Sequence, residues 1–225
     1  MPGAGWLIAL LLAQPAPASV PALTQEARQA MADGHLPQAE EILRRAITAS
    51  PRQKDLRFLL GFCLYLENNF GESLRAFEAA DQTDARTILY RGLAQEGLGQ
   101  VGLALESYKR AIALAPRNVE ARVVMGRLLR KLGDIVAAEK EIDDTLVLAP
   151  DAREVLYEKG QCLFERGAFA AAAAIAERAL TAAGPAPGAR EIHFLAARAW
   201  LKAGDSSMAA KHRAAFESLP MSLVR

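Results

Sequence analysis

The stretch GLGQVGLALESYKRAIALAPRN, Gly97 to Asn118, ends one helical pattern with glycines and opens another. In the second pattern Ala104 and Ala111 fall seven residues apart, and Pro116 closes it. Seven residues are about two turns of α-helix, so both alanines lie on one face, where a core helix normally carries bulk. Small side chains there let a second helix backbone approach to the short end of the usual range of about 8–10 Å. Gly99 supplies a turn conformation that other residues resist, and proline cannot continue a helix. The stretch therefore reads as a helix end, a tight turn and a second helix made for close packing.

The same unit recurs along the chain. Gly34, Asn68, Gly99, Gly133, Gly167 and Gly204 all sit between two helical patterns, at separations of 34, 31, 34, 34 and 37 residues. A small residue precedes each turn by seven positions: Ala27, Gly61, Gly92, Gly126, Gly160 and Ala197. Another follows by five: Ala39, Ser73, Ala104, Ala138, Ala172 and Ala209. A third column reads Ala46, Ala80, Ala111, Thr145, Ala179 and then Phe216, and Pro51, Pro116, Pro150 and Pro185 close several units. Such internal self-similarity is the mark of a repeat architecture. Each unit is expected to be a pair of amphipathic helices of about 12–15 residues joined as an αα-hairpin.

This pattern resembles the tetratricopeptide repeat family. The resemblance is carried by Gly92, Gly99, Ala104, Tyr108, Ala111 and Pro116 in one unit, and by Gly126, Gly133, Ala138, Ile142 and Pro150 in the next. It covers about Val20 to Phe216 and implies an all-α fold, a right-handed α-solenoid of about six helix-turn-helix repeats. The repeat domain is placed at 19–217, with units at about 20–53, 54–84, 85–118, 119–152, 153–186 and 187–217, and a tail at 218–225. Glu26, Arg91 and Lys159 occupy a column that is usually leucine in the family. The second unit is three residues short around DQTDAR, and the last interval three long around TAAGPAPGAR, so kinks are expected at those joints. The column Leu43, Phe77, Tyr108, Ile142, Ala176 turns to Arg213 in the final unit, as an end that meets water requires.

Ahead of the repeats, Trp6 to Ala13 is a continuous apolar run, followed by Pro15, Pro17 and the small-x-small site Ala16-Pro17-Ala18. That order is expected of a secretory signal at 1–18, although no Lys or Arg precedes the run; an uncleaved apolar tail is the alternative. The run is far shorter than the ~20 residues of a membrane-spanning helix. No cysteine follows it for lipid attachment. After cleavage no stable membrane span is expected, and the location is periplasmic or secreted, in a bacterial envelope. The formal net charge of +1 over 225 residues provides no electrostatic ground for nucleic acid as a partner.

No catalytic constellation stands out, and neither cofactor nor metal is expected. His35, His193 and His212 are scattered, without Asp, Glu or Cys at ligand spacing, and the serines lack a nucleophile-elbow context. Asp143-Asp144 reads as a solvated acidic pair. Cys63 and Cys162 fall in one column of units two and five, too far apart for a bridge in a stack, and read as buried free thiols.

In the family the first helix of each unit lines the concave side, so the resemblance selects a stripe to inspect. Its candidate partner-binding residues are Arg28, Phe58, Phe62, Tyr65, Leu93, Arg127, Arg130, Tyr157, Phe164, Phe194 and Arg198. Aromatic residues and arginine are enriched at binding hot spots, and an apolar groove edged with positive charge suits a protein or peptide with hydrophobic anchors and acidic residues. Phe58, Phe62 and Tyr65 could equally pack against the adjacent unit. Arg127 and Arg130 are the strongest candidates, because a buried unpaired charge is costly. Chaperone-binding members of the family grip a terminal carboxylate, but the corresponding places here carry Thr24, Arg28, Leu59, Arg86 and Tyr90, too poor a match to carry that specificity over. The resulting expectation is a non-enzymatic scaffold or assembly factor in an exported compartment. The alternative is a self-assembling structural component, a homo-oligomer, of an envelope complex.

Overall fold

The computed structural model describes residues 19–182, 184 and 188–220. The expected signal at 1–18 and residues 221–225 of the expected tail lie outside the described residues.

The turn column adopts left-handed backbone at every position, from Gly34 at φ 78° to Gly204 at φ 90°. Asn68, at φ 59°, is the one described non-glycine residue with positive φ, and it stands where the column places it. Around Gly133 the Asp134 N–H donates to Leu129 O at 3.1 Å and the Gly133 N–H to Arg130 O at 2.9 Å, a Schellman closure of the helix end. The same longer bond joins Asn69 to Leu64, Ala168 to Leu163 and Asp205 to Trp200. The next residue then caps the following helix: Asp134 accepts from the Ala137 N–H at 3.1 Å, and Asp205 from the Met208 N–H at 2.9 Å. One short loop thus ends one helix and starts another.

Twelve helices result among the described residues: α1 (Val20–Ala32), α2 (Leu36–Ala49), α3 (Lys54–Leu66), α4 (Phe70–Glu78), α5 (Ala85–Gly97), α6 (Val101–Leu114), α7 (Val119–Lys131), α8 (Ile135–Leu148), α9 (Arg153–Glu165), α10 (Phe169–Thr181), α11 (Ala189–Ala203) and α12 (Ser206–Ser218). They gather into two compact units, Met1–Val101 and Gly102–Arg225. In the first, α1 to α5 pack in succession, and α3 also touches α5. In the second, α7 to α12 pack in succession, and α9 touches both α7 and α11. The odd-numbered helices thus form a layer of their own in each unit.

The small columns are where the helices meet. Ala39, Ala46, Ala104, Ala111, Ala138, Thr145, Ala172 and Ala179 are fully buried. A Cβ at Gly126 would stand 2.8 Å from Ile142 Cδ1, closer than side-chain atoms tolerate. At Gly61 the approach is used for a bond as well, since the Ser73 hydroxyl donates to Gly61 O at 2.8 Å. Larger residues fill the space between: Leu43, Leu56 and Leu64 in the first unit, Ile142, Leu156, Ile192 and Leu195 in the second.

The three-residue shortfall of the second repeat is taken from α4, which has 9 residues where its counterparts have 13 or 14. Gln82 closes the shortened end, its Nε2 donating to Phe77 O at 2.7 Å. Of the other joint, residues 183 and 185–187 lie outside the described residues; Arg153 ties its near side by donating to Ala182 O at 2.8 Å. Of the charges in the leucine column, Glu26 is exposed to solvent, and Lys159 and Arg91 find partners. Lys159 pairs with Glu139 at 2.8 Å and Asp143 at 2.6 Å, and Arg91 donates to Gln82 at 2.8 Å. The Asp143-Asp144 pair is therefore divided between two lysines, Asp144 pairing with Lys140 at 2.8 Å.

Two predictions follow from this packing. Gly126→Ala and Ile142→Ala, compared by chemical denaturation, are expected to couple: the double variant should be more stable than the sum of the singles implies by about 1 kcal/mol or more, since overpacking costs about 1–3 kcal/mol. Strict additivity would remove the close-approach argument. Cys63 and Cys162 are free and buried, and burial pushes both thiols up to about 12. A thiol reagent at pH 8 should leave both unreacted in the folded chain and titrate two on denaturation.

Candidate functional site

In the first unit α1, α3 and α5 enclose an open groove of about 460 Å³, lined by Arg28, Met31, Asp55, Phe58, Phe62 and Arg86 among others. Its floor is aromatic. Phe58 and Phe62 lie parallel with centroids 6.3 Å apart, and Tyr90 meets them edge-on at 5.9 and 5.1 Å. Tyr65 continues the cluster to Tyr90 at 5.9 Å and to Phe70 at 5.7 Å. Phe58 is only 7% exposed and also touches Phe77, so part of the aromatic stripe serves as packing between helices. Phe62 and Leu93 are half-buried.

Two guanidinium groups flank this floor. Arg86 stacks 4.1 Å over the Phe58 ring, a contact worth about 0.5–1 kcal/mol at an exposed site. Its ion pair with Asp84 is long, 3.8 Å, and exposed. Arg28 is exposed and forms no ion pair among the described residues. Arg28 and Arg86 thus present charge to solvent beside an aromatic surface. Arg86 was not among the residues chosen from the sequence. Its signal is its place in the first turn of α5, one repeat after Asp55.

The odd-helix face of the second unit is built differently, because Arg127 and Arg130 are answered from within the chain. Arg127 lies 3.8 Å from Glu154. Arg130 holds Glu158 at 3.2 Å and Glu165 at 2.6 Å, with 15% of its side chain exposed. Burial pushes the Glu158 carboxyl up, and Arg130 and Arg127 offset this only in part. The burial of the Arg130 charge is therefore balanced by α9 and needs no ligand. Tyr157 accepts from Gln161 Nε2 at 2.7 Å. Arg198 lies 4.5 Å over Phe164 and 5.4 Å from Phe194, and Phe194 is 47% exposed.

The histidines differ from their scattered look in the sequence. Packing of α11 on α12 sets His193 Nδ1 2.9 Å from His212 Nδ1, and His212 Nε2 lies 3.3 Å from Glu177 Oε1. The same Glu177 oxygen accepts from Trp200 Nε1 at 2.9 Å, so four residues of α10, α11 and α12 share one polar cluster. Burial and the neighbouring His212 hold His193 below the usual histidine range. Among the described residues no group of three or more His, Cys, Asp or Glu is arranged to hold a metal ion, and no helix is long and apolar enough to cross a membrane.

No curated protein matches the chain by sequence. Solved structures do match in fold. PilW, a widely conserved type IV pilus biogenesis factor, superposes with a TM-score of 0.77 at 17% identity, over 88% of this chain and 92% of its own. The pilF protein of Pseudomonas aeruginosa gives 0.74 at 17% identity, over 88% and 90%. MamA gives 0.57 at 21% identity, over 74% and 91%. At these identities the likeness concerns the fold. Tetratricopeptide repeat models match residues 30–96, 89–147 and 123–187, together more than half of the sequence. With its turn glycines, small columns and stacked helix pairs, the chain belongs to the tetratricopeptide repeat family.

Proposed function

We propose that this chain is a non-enzymatic protein-binding scaffold or assembly factor of an exported, envelope compartment. It takes a partner segment with apolar and acidic residues in the groove of its first unit. The observation that carries the reading is the pairing of the Phe58–Phe62 floor with two exposed guanidinium groups, Arg28 and Arg86. Rigid rings supply buried apolar area, and arginine beside them supplies directed charge. The second unit carries a candidate surface of its own, with Arg127, Arg130, Tyr157, Phe164, Phe194 and Arg198. There an incoming acid competes with Glu154, Glu158 and Glu165 for the arginines. Export is supported by the order of residues 1–18, an apolar run, prolines and a small-x-small site. A fold like that of PilW, a pilus biogenesis factor, is in keeping with an envelope role.

A random peptide library displayed on phage provides the probe. Selected peptides should combine Asp or Glu with apolar or aromatic anchors. Their affinity should fall by about tenfold or more in the Arg28→Glu, Arg86→Glu double variant, with helicity unchanged. Peptides without acidic residues, or binding indifferent to both arginines, would end this reading. Arg130→Glu serves as the contrast. It sets a third carboxylate beside Glu158 and Glu165, and it should lower unfolding stability by about 3–5 kcal/mol.

A further inference from the structure

The repeats of the second unit share one packing rule. Each helix pair forms a groove, and the next odd-numbered helix lies in it. The α7–α8 groove holds α9, through Val123, Ile142 and Val155. The α9–α10 groove holds α11, with Ile192 and Leu195 against Leu156, Ala176 and Ala179. Leu195 reaches within 3.0 Å of where a Cβ at Gly160 would stand. The groove between α11 and α12 measures about 500 Å³ and is open among the described residues.

The same register positions are sealed in one repeat and bare in the other. Ten places before the turn, Val123 is 0% exposed, whereas Phe194 is 47% exposed. Nine places after the turn, Ile142 and Ala176 are fully buried, while Arg213 stands in solvent. Leu201, also on this face, is 63% exposed. Arg213, paired with Glu217, makes the face partly polar, but the neighbouring rings and leucine leave an apolar surface beside it.

Charge identifies what fits the seat. Arg198 occupies the place of Arg127, six residues before the turn. Arg127 meets Glu154, in the first turn of the helix seated on its own groove, and apolar Val155 and Leu156 follow that glutamate. The first turns of α7 and α11 likewise carry Glu120 and Glu191. We propose that the α11–α12 groove seats one amphipathic α-helix of a partner protein. A carboxylate in the first turn of that helix faces Arg198, and an apolar pair covers Phe194 and Leu201. This site is separate from the groove of the first unit. The exposed apolar face of a second copy carries Arg198 and Arg213 as well, so two such ends would bring like charges together, which favours a foreign helix as the occupant.

The probe is a stapled, fluorescein-labelled peptide with the sequence of residues 153–165, Ser replacing its Cys, titrated with the full chain by anisotropy. Saturable binding is expected, weakened about tenfold or more by Leu201→Asp and by Arg198→Glu. Both positions are exposed, so unchanged circular dichroism should accompany the loss. A peptide with Lys in place of its first Glu should recover binding to the Arg198→Glu chain. The Arg28→Glu, Arg86→Glu variant should bind the peptide as the parent does, which keeps this site distinct from the first groove. Absence of saturable binding, or binding indifferent to Leu201 and Arg198, would overturn the proposal. A dimer in sedimentation equilibrium that Leu201→Asp dissolves would also overturn it, by making a second copy the occupant.

Discussion

At Gly126 the backbone of α7 comes so near to Ile142 of α8 that one added methyl group would overlap it. The remaining architecture depends on approaches of this kind. A glycine or alanine seven places before the turn and another five places after it bring two helices together, and the left-handed turn holds them antiparallel. Large residues such as Leu156 and Ile192 then fill the spaces between successive pairs instead of propping one pair apart. Dispersion contacts are individually weak and fall off steeply with distance, so this tight spacing is what makes an alanine-rich interior cohesive.

The same regular spacing distributes charge. Because a residue in one helix lies beside its counterpart one repeat on, partners recur just under one repeat apart. Arg130 and Glu158 are 28 residues apart, as are Arg44 and Glu72. In the second unit this leaves Arg127 and Arg130 satisfied from α9, while Arg198 rests on aromatic rings. In the first, α5 brings Arg86 where the corresponding positions of α7, α9 and α11 carry glutamate, so an aromatic floor and positive charge stay together and open to solvent. Two faces built from the same repeat thereby differ in what they offer.

The fold was legible because its signals are local and periodic. Asn68 stands in for glycine at the turn, a place that spacing alone assigns to it and that its φ of 59° fits. The shortened second repeat was visible as missing residues, though not that α4 would lose the turn and Gln82 would close it. The candidate site was less legible, since its meaning lies in partners from other repeats. Arg130 reads as an uncompensated buried cation until Glu158 is set against it. His193 and His212, 19 residues apart on successive helices, look unrelated until α11 and α12 pack. An offset of one repeat less about six residues would have found the arginine pairs, whereas the histidine contact follows only from how two adjacent helices rotate.

The stacking order carries a kinetic meaning as well. Within each unit every helix touches those adjacent in the chain or one beyond, so native contacts close short loops. Chains with such low contact order lose little entropy before their contacts form, and they fold fast. Coupling restricted to nearest neighbours also lets structure grow from any hairpin and fray from an end. For α12, which packs on α11, reaches α10 through His212 and Glu177 and leaves its apolar seat uncovered among the described residues, opening breaks few neighbouring contacts.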